Sequence, residues 1–264
     1  MSTMTLTYFS KALVGCTQVN LYLPVGAEYE DMVQAGEKFQ TLWLLHGHGG
    51  NYSEWARYTC IEKLAMDHKF AVVMPEGGHS FYSDQPDNMN YYTYITQELP
   101  EFLRKHFPLS DKREDTFAAG LSMGGYGAWK LGLGASETFG AAASLSGCLD
   151  IIEDVGRHLE GDTRDAALFR GIYGSLEQLE GSDDDLMALA KKLKTSGKPI
   201  PRLYSWCGTE DFLYEGNKRA WAYMKELGYE MKLEESSGDH QWKYWDAKIQ
   251  DVLRWWLDTD LDLT

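Results

Sequence analysis

A chain of 264 residues with 44% hydrophobic content can bury one sizeable core, and α/β folds keep this length in a single domain, so residues 1–264 are expected to form one unit. A formal net charge of −15 opposes the counterion release that nucleic-acid binding needs and disfavours anionic lipid, leaving a neutral or weakly charged small molecule as the expected partner. The four cysteines (Cys16, Cys60, Cys148, Cys207) form no C-x-x-C pair, which indicates reduced thiols rather than a zinc cluster or a disulfide framework.

The first residues, Met1 to Leu13, lack a basic-then-apolar leader pattern, and no apolar run nears the ~20 residues of a bilayer span, so no membrane and a cytoplasmic location are expected. Thr3 to Phe9 and Thr17 to Leu23 are β-rich and partly alternating, the pattern of an antiparallel pair opening a sheet. Val25 to Lys38 is a polar connection. Gln40 to His46 reads as a strand buried on both faces and runs directly into His46-Gly47-His48-Gly49-Gly50. Ser53 is an expected N-cap, Thr59 to His68 a helix, and Phe70 to Met74 a second buried strand ended by Pro75. A loop from Gly77 to Asn90 carries Phe81 and Tyr82. Tyr91, Ile95, Leu99 and Leu103 then recur at helical spacing, with a kink predicted at Pro100.

Asp115 to Leu133 organises the rest of the chain. Apolar Phe117, Ala118 and Ala119 lead into Gly120-Leu121-Ser122-Met123-Gly124, and the residues from Met123 onward carry few strand formers. That is a strand, a tight turn and a helix with serine at the corner, where neighbouring backbone passes so close that only glycine fits two positions either side. Ala141 to Leu145 is the next strand. Cys148 to Pro201 then spends about fifty residues, rich in Asp and Glu, on what is normally a short crossover, so it must hold an excursion, within which Asp185 to Thr195 is a helix capped by Asp183-Asp184-Asp185 and stopped by Gly197 and Pro199. Arg202 to Cys207 is a strand with exit loop Gly208 to Asp211, Phe212 to Leu227 a helix, Tyr229 to Glu235 the last strand, and Ser236 to His240 a loop. The closing helix places Trp242, Trp245, Ile249, Val252, Leu253 and Trp256 on one stripe.

Six strands separated by helices after an opening pair imply an open, mostly parallel eight-stranded sheet with helices on both faces, whose chemistry sits at the carboxyl ends of the strands. His46 to Gly50, Ser122, Asp211 and His240 all fall just after a predicted strand. A serine hydroxyl needs a base to take its proton and an acid to orient that base. Asp211 and His240 follow Ser122 in the order found when this trio is built on an α/β-hydrolase sheet. Glu210 neighbours Asp211 but is expected to point away. Among the seven histidines, His68, His106 and His158 fall in helices or the excursion, and His46, ending a buried strand, is expected to be structural. The oxyanion needs two backbone N–H donors. Met123, at the positive end of its helix, is one, and His48 is the other, with Gly49 as its alternative. The histidines of this loop lack a third ligand at metal spacing, and no cofactor is implied.

With these residues assembled, the chain resembles the esterase D-like branch of the α/β-hydrolases, most closely the bacterial tributyrin esterase type, and is similar to feruloyl and acetyl carbohydrate esterases and to S-formylglutathione hydrolases. The resemblance spans nearly the whole chain and rests on Leu44-Leu45-His46-Gly47 with Gly50, Gly120 to Ala128, Gly208 to Asp211, and His240-x-Trp242-x-x-Trp245. It implies an α/β-hydrolase fold with residues 148–201 as a lid or pocket wall, and a serine carboxylesterase that works through an acyl-enzyme. A thioesterase of the S-formylglutathione hydrolase kind, a feruloyl or acetyl esterase, an acyltransferase and a catalytically silent binding protein are the alternatives, and a homo-oligomer is compatible with all of them. Bulky aromatics near the strand ends (Phe81, Tyr82, Trp206, Phe212, Tyr214 and Trp242) predict a crowded pocket that favours short acyl groups, with Tyr82 and Trp242 as substrate contacts.

Overall fold

The computed structural model describes residues 1–26, 29–86, 89–159 and 163–258. Eight strands form one sheet: β1 (Ser2–Ser10), β2 (Gly15–Leu23), β3 (Thr41–Leu45), β4 (Ala71–Pro75), β5 (Thr116–Leu121), β6 (Ala141–Leu145), β7 (Arg202–Gly208) and β8 (Met231–Ser236), in spatial order β1-β2-β4-β3-β5-β6-β7-β8. The β1–β2 and β2–β4 pairs are antiparallel, and every later pair is parallel. The expected mostly parallel sheet behind an antiparallel opening pair is therefore present.

Successive strand residues point to opposite faces, and the apolar runs use both. On β3, Trp43 and Leu45 enter the core shared with the helix Met123–Gly134, while Leu42 and Leu44 enter the core closed by the helix Trp242–Leu257. Trp245, Ile249, Val252, Leu253 and Trp256 form the buried stripe of that last helix. The helix Met123–Gly134 is covered on nearly every side, and it sits against β3 with almost no gap. A Cβ on Gly124 would stand 2.7 Å from the His46 carbonyl oxygen and closer still to that of Leu45.

The connection Val25 to Lys38 contains a short helix, Tyr29–Gln34, that sequence reading did not find, and three further local features differ from it. The helix of Tyr91 to His106 passes through a π-helical turn, Tyr94–Glu98, in which the Leu99 N–H reaches back to the Tyr94 carbonyl. The wider turn accommodates Pro100, which has no N–H to give and whose ring would crowd the preceding turn. Ser53 precedes the helix Glu54–Tyr58 but makes no capping bond. Asn51 Oδ1 instead accepts from the Ser53 N–H at 2.9 Å and its hydroxyl at 2.7 Å. The third difference is the excursion, whose described residues form four helices: Ile151–Leu159, Arg164–Tyr173, Leu176–Leu179 and Leu186–Ser196. Sequence reading found only the last. As expected, Asp185 caps it, accepting from Met187 N–H at 3.0 Å and Ala188 N–H at 3.2 Å. Among the described residues no helix is long and apolar enough to cross a membrane.

Candidate active site

Ser122 stands between β5 and the helix Met123–Gly134 with φ 53° and ψ −120°, a left-handed backbone that costs a non-glycine residue about 1–3 kcal/mol. Its N–H is tied to the Leu145 carbonyl at 2.9 Å and its carbonyl accepts from Tyr126 N–H at 3.1 Å, so the corner is held from both sides. The exit of β3 comes alongside: a Cβ on Gly47 would lie 3.5 Å from Ser122 Cβ and 2.6 Å from Leu121 Cδ1. This brings His48 and Met123 to the same cavity as Ser122.

Asp211 sits at the exit of β7 with its side chain fully buried, accepting from the Leu213 N–H at 2.9 Å on Oδ1 and bonding His240 Nδ1 at 2.8 Å on Oδ2. A carboxylate only accepts, so Nδ1 carries the proton and Nε2 is left with its lone pair. The imidazole is clamped between Phe212, 4.6 Å between ring centres, and the edge of Trp245, at 4.8 Å. The loop that carries His240 lies directly on the end of β7. Thr209 and Glu210 donate their N–H groups to Ser236 and Gly238 carbonyls at 2.9 and 3.0 Å, and a Cβ on Gly208 would overlap the Gly238 carbonyl. Glu210 faces away from His240, as expected, and accepts the Gly238 N–H at 2.5 Å. That bond, with further ones to Thr209 and Ser237, holds its carboxyl below the ordinary glutamate value.

His46 is structural in this arrangement. The Gly77 N–H donates to Nε2 at 2.8 Å, which leaves the proton on Nδ1, 2.8 Å from the Gly47 carbonyl. The His48 ring, by contrast, is at the surface, its Nε2 2.9 Å from His79 Nδ1. Partial burial, with the neighbouring His79, pushes the His48 imidazole below its ordinary pKa.

The cavity over Ser122 holds about 490 Å³, the size of a small-molecule site. Phe81, Met123, Leu213, Phe169, Leu168 and Cys148 supply much of its apolar wall, and Asp154, Arg157, His158 and Asp165 give it a polar side. Asp154 is buried; Cys148 Sγ donates to it at 2.9 Å and Arg157 pairs with it. Burial raises the Asp154 carboxyl above its ordinary value and raises the Cys148 thiol further, so Cys148 is a wall residue and not a reactive thiolate.

Two expected substrate contacts are elsewhere. Tyr82 is fully buried behind the β3 exit, its hydroxyl donating to the His46 carbonyl at 2.8 Å and its ring filling the space beside Gly77 and Gly127. Phe81, one residue earlier, is the ring that faces the cavity. Trp242 begins the last helix and packs on Trp55 and Tyr58, with ring centres 5.3 and 4.8 Å apart, so Trp245 and not Trp242 touches His240. Trp206 is core, and Tyr214 hydrogen-bonds Glu235 away from the cavity, which leaves Phe81 and Phe212 as the two of the six expected aromatics that line it. Apart from Cys148 and Leu213, the cavity residues that sequence reading missed lie on the first two helices of the excursion. Ile151, Ile152, Val155 and Leu159 at helical spacing were the available signal.

The chain is similar to known esterases and serine hydrolases over nearly its whole length. An acetyl esterase of Caldicellulosiruptor saccharolyticus is 36% identical over 263 residues, covering 97% of this chain and 98% of that protein. Among solved structures, the fluorophosphonate-binding serine hydrolase FphF of Staphylococcus aureus superposes with a TM-score of 0.88 at 32% identity, over 97% of this chain and 98% of that one. The S-formylglutathione hydrolase FrmB of Staphylococcus aureus gives 0.85 at 32% identity, with the same coverage. The model of the family described as putative esterase matches residues 10–256, nearly the whole of the sheet with its strand-end loops, and the chain belongs to that family.

Proposed function

We propose that the protein is a serine carboxylesterase in which Ser122, Asp211 and His240 act together. The observation that carries the reading is the 2.8 Å bond between buried Asp211 and His240 Nδ1, at the carboxyl end of the sheet where Ser122 occupies its strained corner. With Nδ1 occupied, His240 Nε2 takes the Ser122 hydroxyl proton as Oγ attacks the ester carbonyl. The His48 and Met123 amides receive the oxyanion, each worth ~3 kcal/mol of barrier. Collapse of the tetrahedral intermediate expels the alcohol, protonated by His240, and leaves Ser122 acylated; water activated by the same histidine then releases the acid. Residues 1–264 act as one α/β-hydrolase domain, with 148–201 as the wall over the site, and four free cysteines suit a reducing cytoplasm.

Ser122→Ala should abolish labelling by a small fluorophosphonate and lower kcat by ~10⁵–10⁶ without changing the cooperative thermal transition. Labelling that survives in the variant overturns the assignment. The rings of Phe81 and Phe169 occupy space a long acyl chain needs, so acetyl to butyryl p-nitrophenyl esters, and tributyrin, are the expected substrates. Each methylene that fits adds ~0.8 kcal/mol, so kcat/KM should climb toward butyryl and then fall. A maximum at eight carbons or beyond would show an open acyl channel. A second reading, S-formylglutathione hydrolysis, is favoured by the FrmB likeness, since the same residues serve a thioester. A kcat/KM for S-formylglutathione well above that for p-nitrophenyl acetate would select it.

A further inference from the structure

We propose that Lys130 is a positioning residue that sets substrate selectivity, by pinning both the Phe81–Tyr82 turn and the excursion to the helix that begins behind Ser122. Lys130 lies one turn beyond Tyr126 and two beyond Met123 on Met123–Gly134, its side chain almost entirely enclosed. The ammonium has three acceptors for its three protons: the Tyr82 carbonyl at 3.2 Å, Ser83 Oγ at 2.7 Å, and Asp184 Oδ1. These belong to two segments about a hundred residues apart, and the same corner ties them again: Ser83 Oγ donates to Asp184 Oδ1 at 2.8 Å and Tyr126 Oη donates to the Asp184 carbonyl at 2.7 Å.

What the pin holds is strained. Phe81 and Tyr82 have φ of 50° and 52°, two consecutive bulky residues in the left-handed region, which persists only where the surroundings over-determine it. Phe81 then presents its ring to the cavity over Ser122 and against Tyr126, Phe169 and Tyr173, at 5.8, 5.3 and 6.3 Å between ring centres. It is the seam between the nucleophile side and the excursion side of the wall. On its other side the corner borders a second cavity of about 470 Å³, lined by Lys130, Asp184, Tyr92 and Leu133 among others. Burial depresses the Lys130 ammonium pKa while Asp184 opposes that shift, so enclosing this group carries a desolvation cost, which fits a group kept for geometry.

This inference rests on the esterase reading, and labelling of the wild type by a small fluorophosphonate tests that reading before any variant is compared. In Lys130→Met, labelling of Ser122 should stay within about threefold of wild type, while the acetyl-to-octanoyl ratio of kcat/KM falls by about tenfold, through a raised KM for acetyl and a lowered one for octanoyl. Asp184→Asn, at a partly exposed position, should move the same ratio in the same direction by about threefold. Should Lys130→Met fail to fold, Asp184→Asn decides. A cooperatively folded variant with an unchanged ratio overturns the proposal, as does a loss of labelling equal to the loss of turnover, since that is what a general collapse of the site would give.

Discussion

The strand-end loops and the excursion both border Ser122, but they are built differently. At the exits of β3, β5 and β7 the backbone comes so close to its neighbours that side chains are excluded: Gly120 against the Gly124 backbone, Gly124 against the Leu45 and His46 carbonyls, Gly208 against the Gly238 carbonyl. The excursion is held instead by side chains: the Thr163 and Asp185 caps, a capping box at Ser175 and Gln178, the Lys130–Asp184 pair and the rings around Phe81. Backbone contact fixes where the reacting groups stand. Side-chain contact fixes the shape of the cavity above them, and it can be varied without disturbing the chemistry below.

The comparison breaks most visibly at Asp211. Asp211→Asn keeps the shape but favours the other imidazole tautomer, so kcat should fall by ~10⁴ with little change in KM. Glu210→Gln, one residue away and fully exposed, should cost no more than a few-fold, because its carboxyl braces the Gly238 amide and not His240. Steady-state kinetics on p-nitrophenyl acetate reads both, and reversed magnitudes would make Glu210 the orienting acid.

The two regions also differ in how much of them was legible in the sequence. The sheet could be read because its strands are short apolar runs between glycine- and proline-marked turns, and the site because a glycine-flanked serine, an aspartate and a histidine fall in order at strand ends. Legibility fails where two neighbouring residues share a chemistry and the backbone decides between them. Phe81 and Tyr82 are both aromatic, and only their left-handed φ values send one ring to the cavity and the other behind β3. Trp242 and Trp245 are both on the buried side of one helix, and only the docking of Glu54–Tyr58 gives the first to Tyr58 and leaves the second for His240. In the helix Ile151–Leu159 the carboxylate Asp154 is buried beside Ile151 and Val155, and the acidic composition of the stretch masks its helical spacing.

Glycine substitution sharpens the contrast further. Gly124→Ala places a methyl group against two carbonyl oxygens of the β3 exit, and neither belongs to a flexible side chain that can swing away. Backbone must move, at a cost of about 2–3 kcal/mol, which for a chain of this size lowers Tm by roughly 5–10 °C. The shift separates the Ser122 corner from the loop carrying His48, so kcat should fall as well. A variant with unchanged Tm would mean that the close approach at the β3 exit is not tight.

The smallest expected effect has the opposite sign and comes from the excursion. Gly171 lies inside the helix Arg164–Tyr173 with an exposed position, an ordinary helical backbone, and no atom within 4 Å of where a Cβ would stand. Glycine there serves no turn and no close contact, and it costs the helix the backbone entropy that alanine would not lose. Gly171→Ala should therefore stabilise the protein by about 0.5–1 kcal/mol, raising Tm by roughly 1–3 °C. Because the residue faces neither Ser122 nor the Phe81 seam, kcat/KM for acetyl and butyryl esters should be unchanged. Differential scanning calorimetry of Gly124→Ala and Gly171→Ala side by side gives the test: a falling Tm in both would mean that the excursion is also shaped by backbone contact, and the division between a backbone-fixed site and a side-chain-fixed wall would not hold.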